Sequence, residues 1–170
     1  MSKLSRAVML LFLAVVPGLS GCEPAAAPAT GAAQAPTVLD ASQVERRGAL
    51  PFVRGWELGR RIAAQRQQPC LVFFTADWCT YCKRMEETTF CDPAVVQSAS
   101  QFVCVLVDAD AEPEVCQRLQ VSGYPTVELV SPTGTSLGRM TGWQPAPRFL
   151  HSLEAALHRY AWLEHDAAVR

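Results

Sequence analysis

The 170-residue sequence lacks several features that would place it in common classes of protein. It has no run of lysine and arginine, and its 15 basic residues are balanced by 16 acidic ones, so the basic surface of a nucleic-acid-binding protein is missing. Its longest apolar run, residues 7–16, is too short for a permanent membrane-spanning helix. It has neither a second Cys-x-x-Cys motif nor two histidines at zinc-ligand spacing, which argues against a structural zinc site.

The composition predicts one folded domain. Apolar residues make up 49% of the chain and charged residues 18%, which is sufficient for a packed core. Once the N-terminal segments described below are set aside, about 115–120 residues remain, enough for a single domain and too few for a multidomain enzyme. The seven cysteines exceed what an ordinary cytosolic domain of this size needs, so their chemistry requires an explanation.

The N-terminal residues predict export followed by lipidation. Two basic residues precede the apolar run, and Leu-Ser-Gly then leads to Cys22. This arrangement resembles the lipobox of bacterial lipoproteins, which implies that residues 1–21 are a signal peptide and that Cys22 carries the lipid. The alternative is ordinary signal cleavage after Ala27, which leaves Cys22 in the discarded peptide. Both interpretations place the domain outside the cytoplasm. In enteric lipoproteins an aspartate after the lipidated cysteine favours retention in the inner membrane. Glu23 stands at that position here, which favours the outer membrane.

Residues 22–50 are predicted to be a tether. Residues 24–37 contain seven alanines, three prolines and no charge, and such a segment cannot bury enough apolar surface to offset the entropy of ordering it. The folded domain is predicted to span residues 51–166.

The pattern of the domain predicts alternating helices and strands. Unbroken apolar runs at residues 71–74 and 102–107 are typical of strands covered on both faces. Asp92 followed by proline predicts a helix start, and leucines at helical spacing from Leu150 mark a C-terminal amphipathic helix. The order α-β-α-β-α-β-β-α predicts a three-layer α/β/α domain with a mixed four-stranded sheet. The sequence does not decide whether one additional strand precedes the first helix.

Cys79 and Cys82 form a Cys-x-x-Cys motif between a strand and the helix that follows it. A thiol at a helix N-terminus is stabilised as the thiolate, so Cys79 is the predicted nucleophile, with a pKa below about 8.5. Cys82, one turn further on, can bond to Cys79 and resolve a mixed disulfide. This placement favours redox exchange over a purely structural disulfide, and Lys83 stands where haem attachment needs histidine. We expect no metal and no other cofactor, because the dithiol itself carries the electrons.

A second motif, Tyr124-Pro125, lies before the third predicted strand and points to a particular superfamily. Together with Trp78-Cys79-x-x-Cys82 it resembles the thioredoxin superfamily, in which this proline is cis and the residue before it pairs with an extended substrate segment. The resemblance implies a cis Pro125 and a substrate-binding surface formed by Trp78, Tyr124 and Pro125. The alternative is a trans proline that opens an edge strand.

More narrowly, residues 71–95 are similar to the C-terminal periplasmic domain of the thiol:disulfide interchange protein DsbD and to related thioredoxin-like lipoproteins. The similarity covers about residues 52–160. It implies a dithiol that reduces exported proteins, or that exchanges electrons with a thioredoxin-like or DsbD-like partner, outside the cytoplasm.

The sequence departs from this family in one respect. The family usually buries an aspartate six residues before the first active-site cysteine, and Phe73 stands there instead. The lysine that faces the aspartate in thioredoxin falls near Leu106. Two apolar side chains are a coherent replacement, since a single buried charge would be costly. The proton acceptor for Cys82 is therefore open, with Glu86 or water as candidates.

The other cysteines of the domain allow three complete pairings, which the sequence does not resolve. Cys70 and Cys104 are predicted to be buried free thiols, while one structural disulfide among the four remains open. The three histidines of the last helix recur every seven residues, too far apart for one metal ion, and are predicted to be solvated. These residues are Cys70, Cys91, Cys104 and Cys116, and His151, His158 and His165.

Three functions remain in competition at this point. The first is a monomeric, membrane-tethered thiol–disulfide oxidoreductase that acts through Cys79 and Cys82, reductive by resemblance. The second is a non-catalytic client-binding module in which the same pair is a permanent disulfide. The third is a copper or zinc carrier that uses the pair with another thiol.

Overall fold

A computed structural model describes residues 39–169 of the chain. The predicted signal peptide, Cys22 and residues 22–38 of the predicted tether lie outside the described residues. Within residues 39–169, six strands form one mixed sheet in the order β1-β2-β4-β3-β5-β6. The strands are β1 (Val44–Arg47), β2 (Leu50–Arg54), β3 (Cys70–Thr75), β4 (Val103–Asp108), β5 (Thr126–Val130) and β6 (Ser136–Thr141). The helices are α1 (Trp56–Arg66), α2 (Thr80–Glu87), α3 (Pro93–Ala99), α4 (Pro113–Arg118) and α5 (Ala146–Val169), with short 3-10 turns at Ala41–Gln43 and Thr89–Cys91.

The sheet separates two apolar cores, which confirms the predicted three-layer architecture. Helices α1 and α4 pack on one face, and α2, α3 and α5 pack on the other. Strand β3 lies in the middle, parallel to β4 and antiparallel to β5, and all six of its residues are buried. Its central position explains the unbroken apolar run, because neither face of the strand meets water.

The helix limits follow from local chemistry. The Asp92 carboxylate accepts hydrogen bonds from the backbone N–H groups of Ala94 and Val95, at 2.9 and 3.2 Å, as its position before proline predicted. The last helix runs to Val169, beyond the predicted domain end, and buries Phe149, Leu153 and Ala156 near its start. Among residues 39–169, no helix combines the length and apolar character needed to cross a bilayer.

The sheet begins earlier than the sequence predicted. Strands β1 and β2 form a hairpin within residues 44–54, so the tether does not extend to residue 50, and two strands precede α1 where at most one was expected. The hairpin is held by burial of Leu50 and Phe52, and the Phe52 ring lies 5.8 Å from that of Phe73.

The start of β1 lies level with the middle of β4. Val44 at the start of β1 pairs with Val53 near the end of β2, and Val53 aligns with Val105, the third of the six β4 residues. The Cys-x-x-Cys motif lies further along the sheet, because it follows Thr75 of β3, which aligns with Asp108 at the end of β4.

Candidate active site at Cys79 and Cys82

Cys79 is the N-cap of α2. After β3 ends at Thr75, the Cys79 N–H donates to the Ala76 carbonyl at 3.0 Å, which closes the turn into the helix. The Cys79 Sγ then accepts a hydrogen bond from the Cys82 backbone N–H at 3.1 Å. An N-cap usually carries an oxygen acceptor, and here a sulfur occupies that place. The sulfur thus faces the unpaired N–H groups at the start of the helix.

The two cysteines of the motif are joined by a disulfide bond. Their Cα atoms lie 5.3 Å apart, and both residues are buried, with 4% of Cys79 and 1% of Cys82 exposed. The side chains beside them are open to solvent: Trp78 is 66% exposed and Tyr81 60%. Each cysteine of the buried disulfide is thus next in sequence to an exposed aromatic residue.

The loop before β5 adopts the geometry that the resemblance implied. The Tyr124–Pro125 peptide bond is cis. The Tyr124 ring contacts the Trp78 ring edge to face, with centroids 5.8 Å apart, and the Trp78 indole N–H donates to the Asp110 carboxylate at 3.4 Å. Two of the three residues predicted to bind substrate are therefore in contact next to Cys79, and their role in binding stays a prediction.

Tyr124 is also held by a residue that the sequence analysis did not connect with it. Tyr124 and Cys116 of α4 line the same surface cavity. Burial, reinforced by the interaction with Cys116, raises the pKa of Tyr124 to about 12, so the hydroxyl keeps its proton. Burial also raises the pKa of Cys116, and the interaction with Tyr124 opposes this shift. No local sequence signal identifies this pair, because the two residues meet only through the fold.

The replacement of the family's buried aspartate is visible in the core. Phe73 pairs with Leu106 across β3 and β4, and both lie in the apolar cluster that contains Cys79 and Cys82. Among the candidates for proton transfer, Glu86 is partly buried, and its carboxylate pairs with Arg47 of β1 at 3.3 Å. Burial raises the pKa of Glu86, and the positive charge and hydrogen bonds of Arg47 oppose the shift.

The other four cysteines within residues 39–169 are free. Cys70 and Cys104 are buried thiols, as predicted, and burial raises the pKa of each to about 12. Cys91 is exposed, and its thiol donates to the Glu86 carbonyl at 3.3 Å. The disulfide that the sequence left open among these four is thus not formed. The three histidines of α5 are exposed, and residues 39–169 contain no group of three or more potential ligands arranged for a metal ion.

Comparisons with known proteins agree with this geometry. A thioredoxin-like domain model matches residues 58–157. The thiol:disulfide interchange protein DsbD of Vibrio vulnificus strain CMCP6 is 36% identical over 99 residues, which is 55% of this chain and 17% of that relative. The chain thus spans about a sixth of the curated relatives' length.

Solved structures show the same fold. A thioredoxin from Thermus thermophilus is 26% identical, with a TM-score of 0.55 over 59% of this chain and 82% of that one. The oxidised C-terminal domain of DsbD from Neisseria meningitidis is 25% identical, with a TM-score of 0.52 over 58% of this chain and 89% of that one. The chain belongs to the thioredoxin-like domain family, because the family model matches more than half of its length and the fold and the Cys79–Cys82 disulfide agree with that match.

Proposed function

We propose that this protein is a thiol–disulfide oxidoreductase that works outside the cytoplasm, tethered to a membrane by a lipid on Cys22. Its substrates are disulfides of exported proteins or of partner thioredoxin-like domains, which it reduces as a monomer. The observation that supports this most directly is the Cys79 sulfur, which caps α2 and is bonded to Cys82. Relatedness to DsbD supports the same reaction class.

The reaction follows from the positions of the two sulfurs. In the reduced protein the Cys79 thiolate attacks a substrate disulfide, forms a mixed disulfide and expels the other substrate sulfur as a thiolate. The Cys82 thiolate then attacks the Cys79 sulfur, forms the intramolecular disulfide and expels the second substrate sulfur. Two electrons pass to the substrate, which takes up two protons and leaves as a dithiol.

The fold supplies what each step needs. The Cys82 N–H, which donates to the Cys79 sulfur in the disulfide form, also stabilises negative charge on that sulfur before attack. Cys82 gives up its proton in an apolar cluster that contains Phe73 in place of an acid. Water or the part-buried Glu86 accepts that proton in this proposal.

The experiment that tests the function is reduction of insulin disulfides by the purified chain with dithiothreitol as electron source. We expect Cys79→Ser to abolish turnover. We expect Cys82→Ser to accumulate a mixed disulfide that mass spectrometry locates on Cys79. The control is Cys91→Ser, which removes the exposed thiol outside the motif and should keep wild-type turnover. If the wild type and Cys79→Ser behave alike, the proposal is wrong.

The anchor and the direction of electron flow need separate measurements. Mass spectrometry of the mature N-terminus, with Cys22→Ser as the control, decides between a lipidated Cys22 and ordinary signal cleavage. The reduction potential of the Cys79–Cys82 pair decides the direction, because thioredoxin-fold reductants and oxidants span about −270 to −120 mV. A potential near the lower limit supports a reductase, and one near the upper limit contradicts it.

A further inference from the structure

Glu128 is a buried acid in the middle of β5, three residues after Pro125. It is only 5% exposed, although a buried carboxylate is costly unless it is fully paired. Its partners both lie on β6: the Ser136 hydroxyl donates to one carboxylate oxygen at 2.6 Å, and Arg139 Nε donates to the other. Glu128 is therefore held in one position and in turn orients Arg139.

Arg139 reaches from β6 to the end of α4. Its Nη2 donates to the Leu119 carbonyl at 2.8 Å, and its Nη1 lies 3.5 Å from the Gln120 carbonyl. The last carbonyls of a helix lack partners within the helix, and a positive charge there is favourable. Gln120 has a positive φ of 54°, so the chain turns sharply as it leaves α4. The guanidinium thus fixes the point at which the chain departs towards Pro125.

Helix α4 is connected to the active site through Tyr124. Cys116, on the last turn of α4, lines the same cavity as Tyr124, and its carbonyl accepts a hydrogen bond from the Val121 N–H at 2.8 Å. The Tyr124 ring contacts Trp78, the residue before Cys79. A continuous set of contacts therefore runs from Glu128 to the residue that precedes the reactive sulfur.

On the basis of the proposed function, we propose that Glu128 and Arg139 are positioning residues for the substrate-binding edge at Tyr124 and Pro125. They hold the end of α4 and the loop that follows it, so that this edge is ready to pair with an extended segment of a protein disulfide. Within the described residues, their side chains hydrogen-bond to one another, to Ser136 and to the carbonyls of Leu119 and Gln120, and not to Cys79 or Cys82. The pair therefore sets affinity for protein substrates and leaves the thiol chemistry unchanged.

The test compares a protein substrate with a small disulfide. Arg139→Met keeps the apolar stem and removes the guanidinium, and we expect the KM for insulin to rise about tenfold, as loss of charge-assisted hydrogen bonds implies. We expect kcat for insulin, and the rate constant for reaction of the reduced protein with 5,5′-dithiobis(2-nitrobenzoate), to stay within about twofold of wild type. The reduction potential should be unchanged. The matched control is Arg118→Met, because Arg118 lies at the end of the same helix but pairs with Glu57 of α1, at 3.4 Å.

Two conservative variants keep the test decisive if Arg139→Met does not fold by circular dichroism. Arg139→Lys retains a positive charge near the Leu119 and Gln120 carbonyls, and Glu128→Gln retains one acceptor oxygen, so each should raise the insulin KM by about threefold. An unchanged KM in the folded variants overturns the inference, as does an equal loss of rate with the small disulfide. A wild type that reduces neither substrate contradicts the proposed function instead.

Discussion

Phe73 on β3 lies directly opposite Leu106 on β4, and the two side chains fill the sites where thioredoxin relatives are expected to carry an aspartate and a lysine. Both belong to the apolar cluster that surrounds Cys79 and Cys82. The interior behind the disulfide is thus apolar at this pair of positions. An acid introduced there would have no charged partner at the facing position.

The first prediction is that Phe73→Asp destabilises the domain by at least about 3 kcal/mol, because it removes a fully buried ring and buries an unpaired carboxylate. Adding Leu106→Lys should recover part of this loss, since the lysine supplies the opposite charge. Urea unfolding of both single variants and the double variant measures the coupling. The control is Phe74→Asp, which faces the other core and pairs with Val107, so Leu106→Lys should not rescue it.

The second prediction concerns the exposed aromatic residue beside the disulfide. Trp78→Ala should raise the KM for insulin reduction about threefold to tenfold, because Trp78 contacts Tyr124 and presents apolar surface to a substrate. Trp162 on α5 offers a matched control at 65% exposure against 66%. Trp162→Ala should leave both kinetic constants at their wild-type values. Equal effects of the two substitutions would remove Trp78 from the substrate-binding surface.

The third prediction concerns pH. Burial raises the pKa of Glu86 above its ordinary value of 4.5, so the folded protein holds this proton more tightly than the unfolded chain does. Glu86 therefore adds stability below pH 4.5 that is lost as the pH rises through its folded pKa. In urea unfolding measured between pH 4 and 7, the free energy of unfolding of Glu86→Gln should therefore fall less with rising pH than that of the wild type. The exposed neighbour gives the control: Glu87→Gln should keep the wild-type dependence.

The fourth prediction concerns the turn between β1 and β2. Gly48 has a φ of +59°, and an added Cβ would clash with the Glu86 backbone oxygen and lie 3.0 Å from the Phe90 Cβ. Gly134 has a φ of +93° and no neighbour within 4 Å, so Gly134→Ala should cost only the backbone term of about 1–2 kcal/mol. Gly48→Ala should cost at least about 1 kcal/mol more, because the clash is added. Equal losses of unfolding free energy in the two variants would contradict the predicted steric clash at Gly48.

Much of the domain could be predicted because its signals are local. The apolar runs of β3 and β4 and the Asp92 cap are properties of neighbouring residues, and the structure has them where the sequence placed them. The cis peptide at Pro125 came from a motif of the family and is also present.

The features that were missed depend on contacts between distant parts of the chain. Strand β1 is four residues long and reads Val-Glu-Arg-Arg, which has little apolar content of its own. It is stabilised by pairing with β2, and its Arg47 pairs with Glu86. Likewise, nothing in the strand pattern around Glu128 shows that the acid is buried, because its charged partner Arg139 comes from the next strand.

The burial of two thiols has a consequence for which sulfurs can exchange. Burial raises the pKa of Cys70 and of Cys104 to about 12, so both remain protonated near neutral pH. Because the thiolate is the form that attacks a disulfide, neither thiol competes with the Cys-x-x-Cys pair for an incoming disulfide.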